Sequence, residues 1–170
     1  MKKEFEISMV GELNYFIGLE VKQSNEGIFI SQSKYARNLV KKFGLDTSKH
    51  MKTPMGTNDK LSKNENDVSI DLILYRSIIG SLLYLNASKL DICFSVGVCT
   101  RYQANPKESH IATIKKIIRY VNDTADYSIW FTKDTNSSLT GYNDVHWAEN
   151  IDDRKSITGG CFYLENNMVS

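Results

Sequence analysis

Ile111, Ile114, Ile117, Ile118 and Val121 recur at three- and four-residue spacing between Lys107 and Val121. Branched aliphatics repeating with that period mark one face of a helix, and such a face must be buried against another element. Lys115, Lys116 and Arg119 fall on a different arc of the same helix. A second helix is expected from Leu72 to Leu85, apolar nearly all round apart from Arg76 and small residues, which predicts burial on several faces. Gly80-Ser81 predicts close approach of a neighbouring helix there. Asp91 to Ala104 reads as a third helix, halted before Pro106.

The period changes toward both ends of the chain. Tyr15 to Gln23 is expected as one strand, Ser24 to Gly27 as a turn with glycine at its close, and Ile28 to Ser31 as the returning strand. A helix follows from Ser33 to Phe43, where Tyr35, Ala36, Leu39, Val40 and Phe43 share a side and Gly44 supplies the stop. Lys34, Arg37, Lys41 and Lys42 take its opposite side. From Asp46 to Ser69 the pattern dissolves into polar residues, the composition of a long solvated loop and a candidate hinge or linker. Near the C-terminus, Tyr127–Phe131, Leu139–Asn143 and Ile157–Leu164 read as strands of one sheet. The expected class is α+β.

At 170 residues, 41% apolar and 24% charged, the chain has the composition of one ordinary globular domain or a little more. No apolar run approaches the ~20 residues of a membrane span, and acids interrupt the first residues where a signal peptide needs an apolar stretch. An intracellular, non-membrane protein is expected, with no compartment indicated. Cys93, Cys99 and Cys161 form no C-x-x-C pair, so reduced, buried thiols are expected rather than a disulfide framework or zinc ribbon. The net charge of +1 conceals an asymmetry. Residues 1–133 hold 19 Lys and Arg against 14 Asp and Glu, a surplus of five cations, while residues 134–170 hold 2 against 6, a deficit of four.

No phosphate-cradling glycine motif, no H-E-x-x-H and no G-x-S-x-G occurs, and His50, His110 and His146 are isolated. Two features remain. The basic arcs of Ser33–Phe43 and Lys107–Val121 could set cations against nucleic-acid phosphates, although an amphipathic helix ordinarily exposes such a face to water. Asp144, at the end of an expected strand, is followed by Glu149, Asp152 and Asp153. Phosphodiester hydrolysis by paired Mg²⁺ ions needs several converging carboxylates, and one strand-end aspartate is not enough. Asp152-Asp153 reads most simply as a hydrated turn.

The blocks MVGELNYFIGLEV, GIFISQSKYARNLVKKFGL, TPM, YRSIIGSLLYL, DICFSV, KKIIRY and RKSITGGCF occur in an order that resembles the copia-type LTR retrotransposon Pol polyprotein along nearly the whole chain. The resemblance implies a thumb-like segment at 1–68, a helical connection at 69–133 and the N-terminal strands of a ribonuclease H-like domain at 134–170. It implies a β-hairpin plus helix, then helices, then an incomplete antiparallel sheet. It also implies an RNA/DNA or DNA duplex as partner, gripped first by Lys34, Arg37, Lys41 and Lys42 and second by Lys115, Lys116 and Arg119. Asp144 matches the first ribonuclease H metal aspartate, but Val145, His146 and Glu149 replace the usual neighbours. The polymerase Tyr-x-Asp-Asp site and the later ribonuclease H glutamate segment are not in these residues. The chain alone is therefore expected to be inactive and to need no cofactor, Mg²⁺ serving the intact parent. Lys89-Leu90 and Asn122-Asp123-Thr124 replace a usual Arg-Pro and Lys-Gly-Thr, which predicts loosened element ends. Two other classes stay open: a co-opted non-catalytic interaction or effector protein, self-associating through an exposed sheet edge, and a minimal nuclease whose Asp144 recruits ligands from a second chain.

Overall fold

A computed structural model describes residues 14–49, 51–56, 59, 61–63, 66–133, 138–146, 152, 157–164 and 167–168. Among these, the apolar periodicity is realised as four α-helices: α1 (Ser33–Lys42), α2 (Leu72–Leu85), α3 (Cys93–Thr100, entered through a 3₁₀ turn at Leu90–Ile92) and α4 (Glu108–Asp123). The strands are β1 (Tyr15–Phe16), β2 (Leu19–Gln23), β3 (Gly27–Ser31), β4 (Ile129–Thr132), β5 (Leu139–His146), β6 (Ile157–Leu164) and β7 (Asn167–Met168). They form two antiparallel sheets, ordered β1-β2-β3-β4 and β5-β6-β7. The α+β class holds.

The α4 stripe is buried in full and shares one core with Ala36, Leu39 and Val40 of α1, Tyr75, Ile78, Ile79, Leu82 and Leu85 of α2, and Val96 and Cys99 of α3. This core draws on both 1–68 and 69–133. Burial pushes the Cys99 thiol up to about 12, so it behaves as a small apolar side chain. At the end of α1, Gly44 adopts φ +63°, Leu45 N–H donates to Val40 O at 3.1 Å and Gly44 N–H to Lys41 O at 3.0 Å. That paired closure is what a glycine stop provides. The side chain of Asp71 accepts from Ile73 N–H at 2.9 Å and starts α2.

Several expectations are corrected. Tyr15–Gln23 is not one strand: Ile17 (φ +46°) and Gly18 (φ +75°) form a two-residue turn that pairs Phe16 with Leu19. A branched isoleucine rarely tolerates positive φ, so nothing local announced the turn. It is held by tertiary contact, since the Tyr84 hydroxyl of α2 donates to Ile17 O. Gly27 needs no positive φ; a Cβ there would lie 2.2 Å from Phe131 O, so the glycine admits β4 at close range. The strand expected at Tyr127–Phe131 is β4, and it completes the N-terminal sheet beside β3 rather than opening the C-terminal one. The expected helix Asp91–Ala104 is α helix only over Cys93–Thr100.

The α2 helix is buried on one side only. Ile73, Leu74 and Leu83 are exposed, and a Cβ on Gly80 would meet nothing within 4 Å, so no helix packs on Gly80 itself among the described residues, although the Tyr35 hydroxyl of α1 donates to Ser81 O at 3.5 Å. Composition overstated burial here because α1, α3 and α4 all lie on the Tyr75–Leu82 side. The two glycines should respond with opposite sign. Gly18→Ala is expected to lower stability by about 2 kcal/mol, through positive φ and collision with Tyr84. Gly80→Ala, in an open helix interior, is expected to raise it by about 0.5–1 kcal/mol. Urea unfolding midpoints of the two variants check both.

Candidate nucleic-acid interface

Burying Ala36, Leu39 and Val40 against α4 turns Lys34, Arg37, Lys41 and Lys42 to solvent, and all four are exposed. Lys41 and Lys42 occupy the last turn of α1, where a cation also complements the helix dipole. Arg37 is spent on an exposed ion pair with Asp126, just beyond α4. Lys42 Nζ lies 5.5 Å from the Phe43 ring centroid. Glu20 sits at the start of α1 and accepts from Lys34 N–H at 3.3 Å. Among the described residues no carboxylate pairs with the ammonium groups of Lys34, Lys41 or Lys42.

The second basic arc has different surroundings. Lys115 is exposed, Lys116 forms an ion pair with Asp59 at 2.9 Å, and Arg119 is half-buried with its Nε lacking a hydrogen-bond partner among the described residues. Asp59 belongs to the polar stretch expected as a hinge. In its described part that stretch is instead a strap tied along α4 and its approach. Met51 N–H donates to Asp123 Oδ2 at 2.8 Å, Tyr102 Oη to Leu61 O at 2.8 Å and Lys63 N–H to Asp152 Oδ1 at 2.8 Å. A low-complexity polar sequence hides such a strap because the bonds run mostly through its backbone.

Buried His110 pins the strap to the start of α4. Its Nδ1 accepts from Lys107 N–H at 3.0 Å, which leaves Nε2–H to donate to Ser62 O at 2.9 Å, while Tyr102 stacks on the ring at 4.1 Å between centroids. The signal for this was Pro106 followed by Lys107-x-x-His110, the spacing at which an N3 side chain reaches back to the N-cap N–H. Asp67 adds a carboxylate that accepts from Ser109 N–H at 3.0 Å, and the Ser109 side chain first, then this backbone bond, hold its pKa below the usual value.

Lys89 and residues 122–124 do not behave as loosened ends. Lys89 is 3% exposed, and its ammonium donates to Thr124 O, to Thr124 Oγ1 at 3.5 Å and to Tyr127 O at 3.4 Å. It thereby closes the C-terminus of α4. Burial lowers its pKa, against Asp91 and Asp126, which raise it. Thr124 ends α4 at φ −107°, so no turn glycine is required there.

Asp144 lies in β5 opposite Gly159. Its side chain, Glu149 and Asp153 lie outside the described residues. Asp152 is described, and both its carboxylate oxygens accept from Lys63 N–H. No three His, Cys, Asp or Glu residues are placed to hold a metal among the described residues. The described donors do not fit a paired Mg²⁺ site. No helix among the described residues is long and apolar enough to cross a membrane.

A family model described as reverse transcriptase (RNA-dependent DNA polymerase) matches residues 1–57, a span that contains all of α1. Along its whole length the chain is 32% identical to the retrovirus-related Pol polyprotein from transposon RE2 of Arabidopsis thaliana and 33% identical to that from transposon RE1. It spans 12% of the length of each of these relatives. It is also 29% identical over 171 residues to an uncharacterized mitochondrial protein of the same plant, covering 70% of it. No solved structure matches.

The Asp59–Lys116 pair yields a signed expectation. The hydrogen bond from Lys116, then that from Gly56 N–H, hold the Asp59 carboxyl below its ordinary value of 3.8. A depressed folded-state pKa contributes stability above the unfolded value, and that contribution is lost as pH falls through the folded one. Lys116→Met should raise the Asp59 titration midpoint toward 3.8 in a carboxyl-detected NMR titration. The half-exposed pair should be worth about 0.2–1 kcal/mol near neutral pH, a difference that vanishes in acid.

Proposed function

Because the chain belongs to the copia-type retrotransposon Pol polyproteins, which it matches from end to end, we propose that it is a catalytically incomplete portion of such a polyprotein that grips a nucleic-acid duplex through α1. The observation that carries this reading is the exposed row of Lys34, Lys41 and Lys42, unpaired among the described residues, on a helix whose other side is locked into the core. Lys34 and Lys41 are seven residues apart, about 10 Å along the axis, enough to address roughly three phosphates of one strand. Ammonium groups on flexible stems supply charge without base readout, so the grip is sequence-independent. Arg37 joins them when phosphate displaces Asp126. Of the second-rank cations Lys115 remains as a secondary contact, whereas Lys116 is engaged by Asp59 of the strap and Arg119 is partly buried.

On this reading residues 1–68 act as the thumb-like grip and residues 69–133 as the connection that braces it. Residues 134–170 supply the first strands of a ribonuclease H-like sheet. The polymerase and ribonuclease H reactions belong to the parent polyprotein with its Mg²⁺. Asp144 is a vestige of the second site in this chain.

Binding of a short RNA/DNA hybrid, followed by fluorescence anisotropy across a salt series, should give a log–log slope of about −3 and little dependence on sequence. Lys41→Glu with Lys42→Glu should reduce affinity at least tenfold and flatten the slope by about two. Salt-insensitive binding, or an unchanged slope in the double variant, would sink the reading. Magnesium-dependent hybrid cleavage lost in Asp144→Asn would overturn catalytic incompleteness.

A further inference from the structure

β4 is the outer strand of its sheet, and its hydrogen bonds fix which backbone groups face away. Lys133 N–H donates to Glu26 O at 2.9 Å across the β3 side. By the alternation of an antiparallel ladder, Phe131 and Ile129 also turn their N–H and C=O groups to β3, while Thr132 and Trp130 turn theirs outward. At Thr132 the outward N–H is met by Asn167 Oδ1 at 3.2 Å, and Asn167 Nδ2 donates to Thr132 Oγ1 at 3.2 Å. Asn167 is 6% exposed. Its carboxamide thus stands where the peptide group of a next strand would stand.

One ladder step further, no described residue supplies such a substitute. Trp130 lines a cleft of about 330 Å³, bounded by β4 on one side, Asn167 and Met168 on another and the Lys89–Asp91 segment on a third. Its chemistry is asymmetric. Lys89 has spent its three N–H bonds on the end of α4, so it offers no donor. Asp91 is exposed, and its Oδ2 is held by the Tyr120 hydroxyl at 2.5 Å. Burial first, then this bond, push that hydroxyl up to about 12. Among the charged lining residues, Asp91 alone has an exposed charge. The cleft therefore offers a strand edge unpaired at Trp130 among the described residues, a half-exposed indole and a positioned carboxylate.

We propose that this edge docks an extended peptide segment carrying a lysine or arginine, which adds as a short fifth strand beside β4 with its cation against Asp91. Backbone pairing at Trp130 gives the affinity, and the carboxylate selects the cation. This surface is separate from α1 and independent of duplex binding.

The test titrates the ¹⁵N-labelled full chain with the peptide acetyl-Thr-Val-Lys-Val-Thr-amide, with its Lys-to-Glu counterpart, and with a copy N-methylated at alternate residues. The expected result is a downfield shift and slowed exchange of the Trp130 amide with the lysine peptide only. Asp91→Asn should weaken that peptide about three- to fivefold, and Asp91→Lys should transfer preference to the glutamate peptide. The two wild-type peptide comparisons stand even if a variant fails to fold. The proposal is overturned if the methylated peptide binds equally or if Trp130 does not respond at millimolar peptide. It is also overturned if the same amide responds to a single-stranded oligonucleotide, or to simple dilution of the protein, in place of the peptide.

Discussion

Withdrawal of one face of α4 from water is the interaction on which the rest of the described structure depends. Ile111, Ile114, Ile117, Ile118 and Val121 are all buried, and each such side chain contributes roughly 1.5–3 kcal/mol of gross transfer free energy. The other three helices exist in their observed places because they cover that face. α1 is the clearest case. At ten residues it is too short to be stable alone, so its alignment and the outward set of its lysines are consequences of packing on α4.

Around that core the polar contacts act as pins, and several fall where local sequence suggested looseness. Lys89 bonds the carbonyl of Thr124, the residue that caps α4, His110 and Asp67 hold its first turn, and the strap closes over Lys116 through Asp59. At the β3–α1 junction, buried Gln32 accepts from Ser88 Oγ at 2.7 Å and donates to Tyr84 O at 3.3 Å, tying the sheet to the end of α2. A buried polar group without a partner costs about 1–3 kcal/mol, so each of these side chains restricts how the connecting segments can lie. The same pins sort the cations. Formal charge alone does not distinguish Lys41 from Lys116, but only Lys41 has no carboxylate against it among the described residues.

Relatedness to Pol polyproteins and the physical site bear on different questions. The match across the chain establishes ancestry, and ancestry makes a nucleic-acid partner the first reading of the α1 face. The proposed choice among the cations rests on geometry, since Lys34, Lys41 and Lys42 are exposed while Lys116 is ion-paired and Arg119 partly buried. The cleft beside β4 owes nothing to that ancestry. It follows from a strand pairing that joins residues 27–30 to residues 129–132 and leaves the far edge of β4 only partly capped.

Much of the architecture was legible in the sequence wherever an element is specified by its own periodicity. Leu72–Leu85 matches its observed bounds, Ser33–Phe43 misses by one residue, and the α4 stripe is buried as its spacing required, because i, i+3, i+4 burial is a local property of the chain. What only tertiary structure decided are the long-range relations: the Ile17-Gly18 turn held by Tyr84, β4 beside β3, the strap over α4, and the partner assigned to each cation. The pairs Arg37–Asp126 and Asp59–Lys116 join residues 89 and 57 positions apart. No local spacing encodes such pairs, since they form only after burial of the α4 face has brought the segments together.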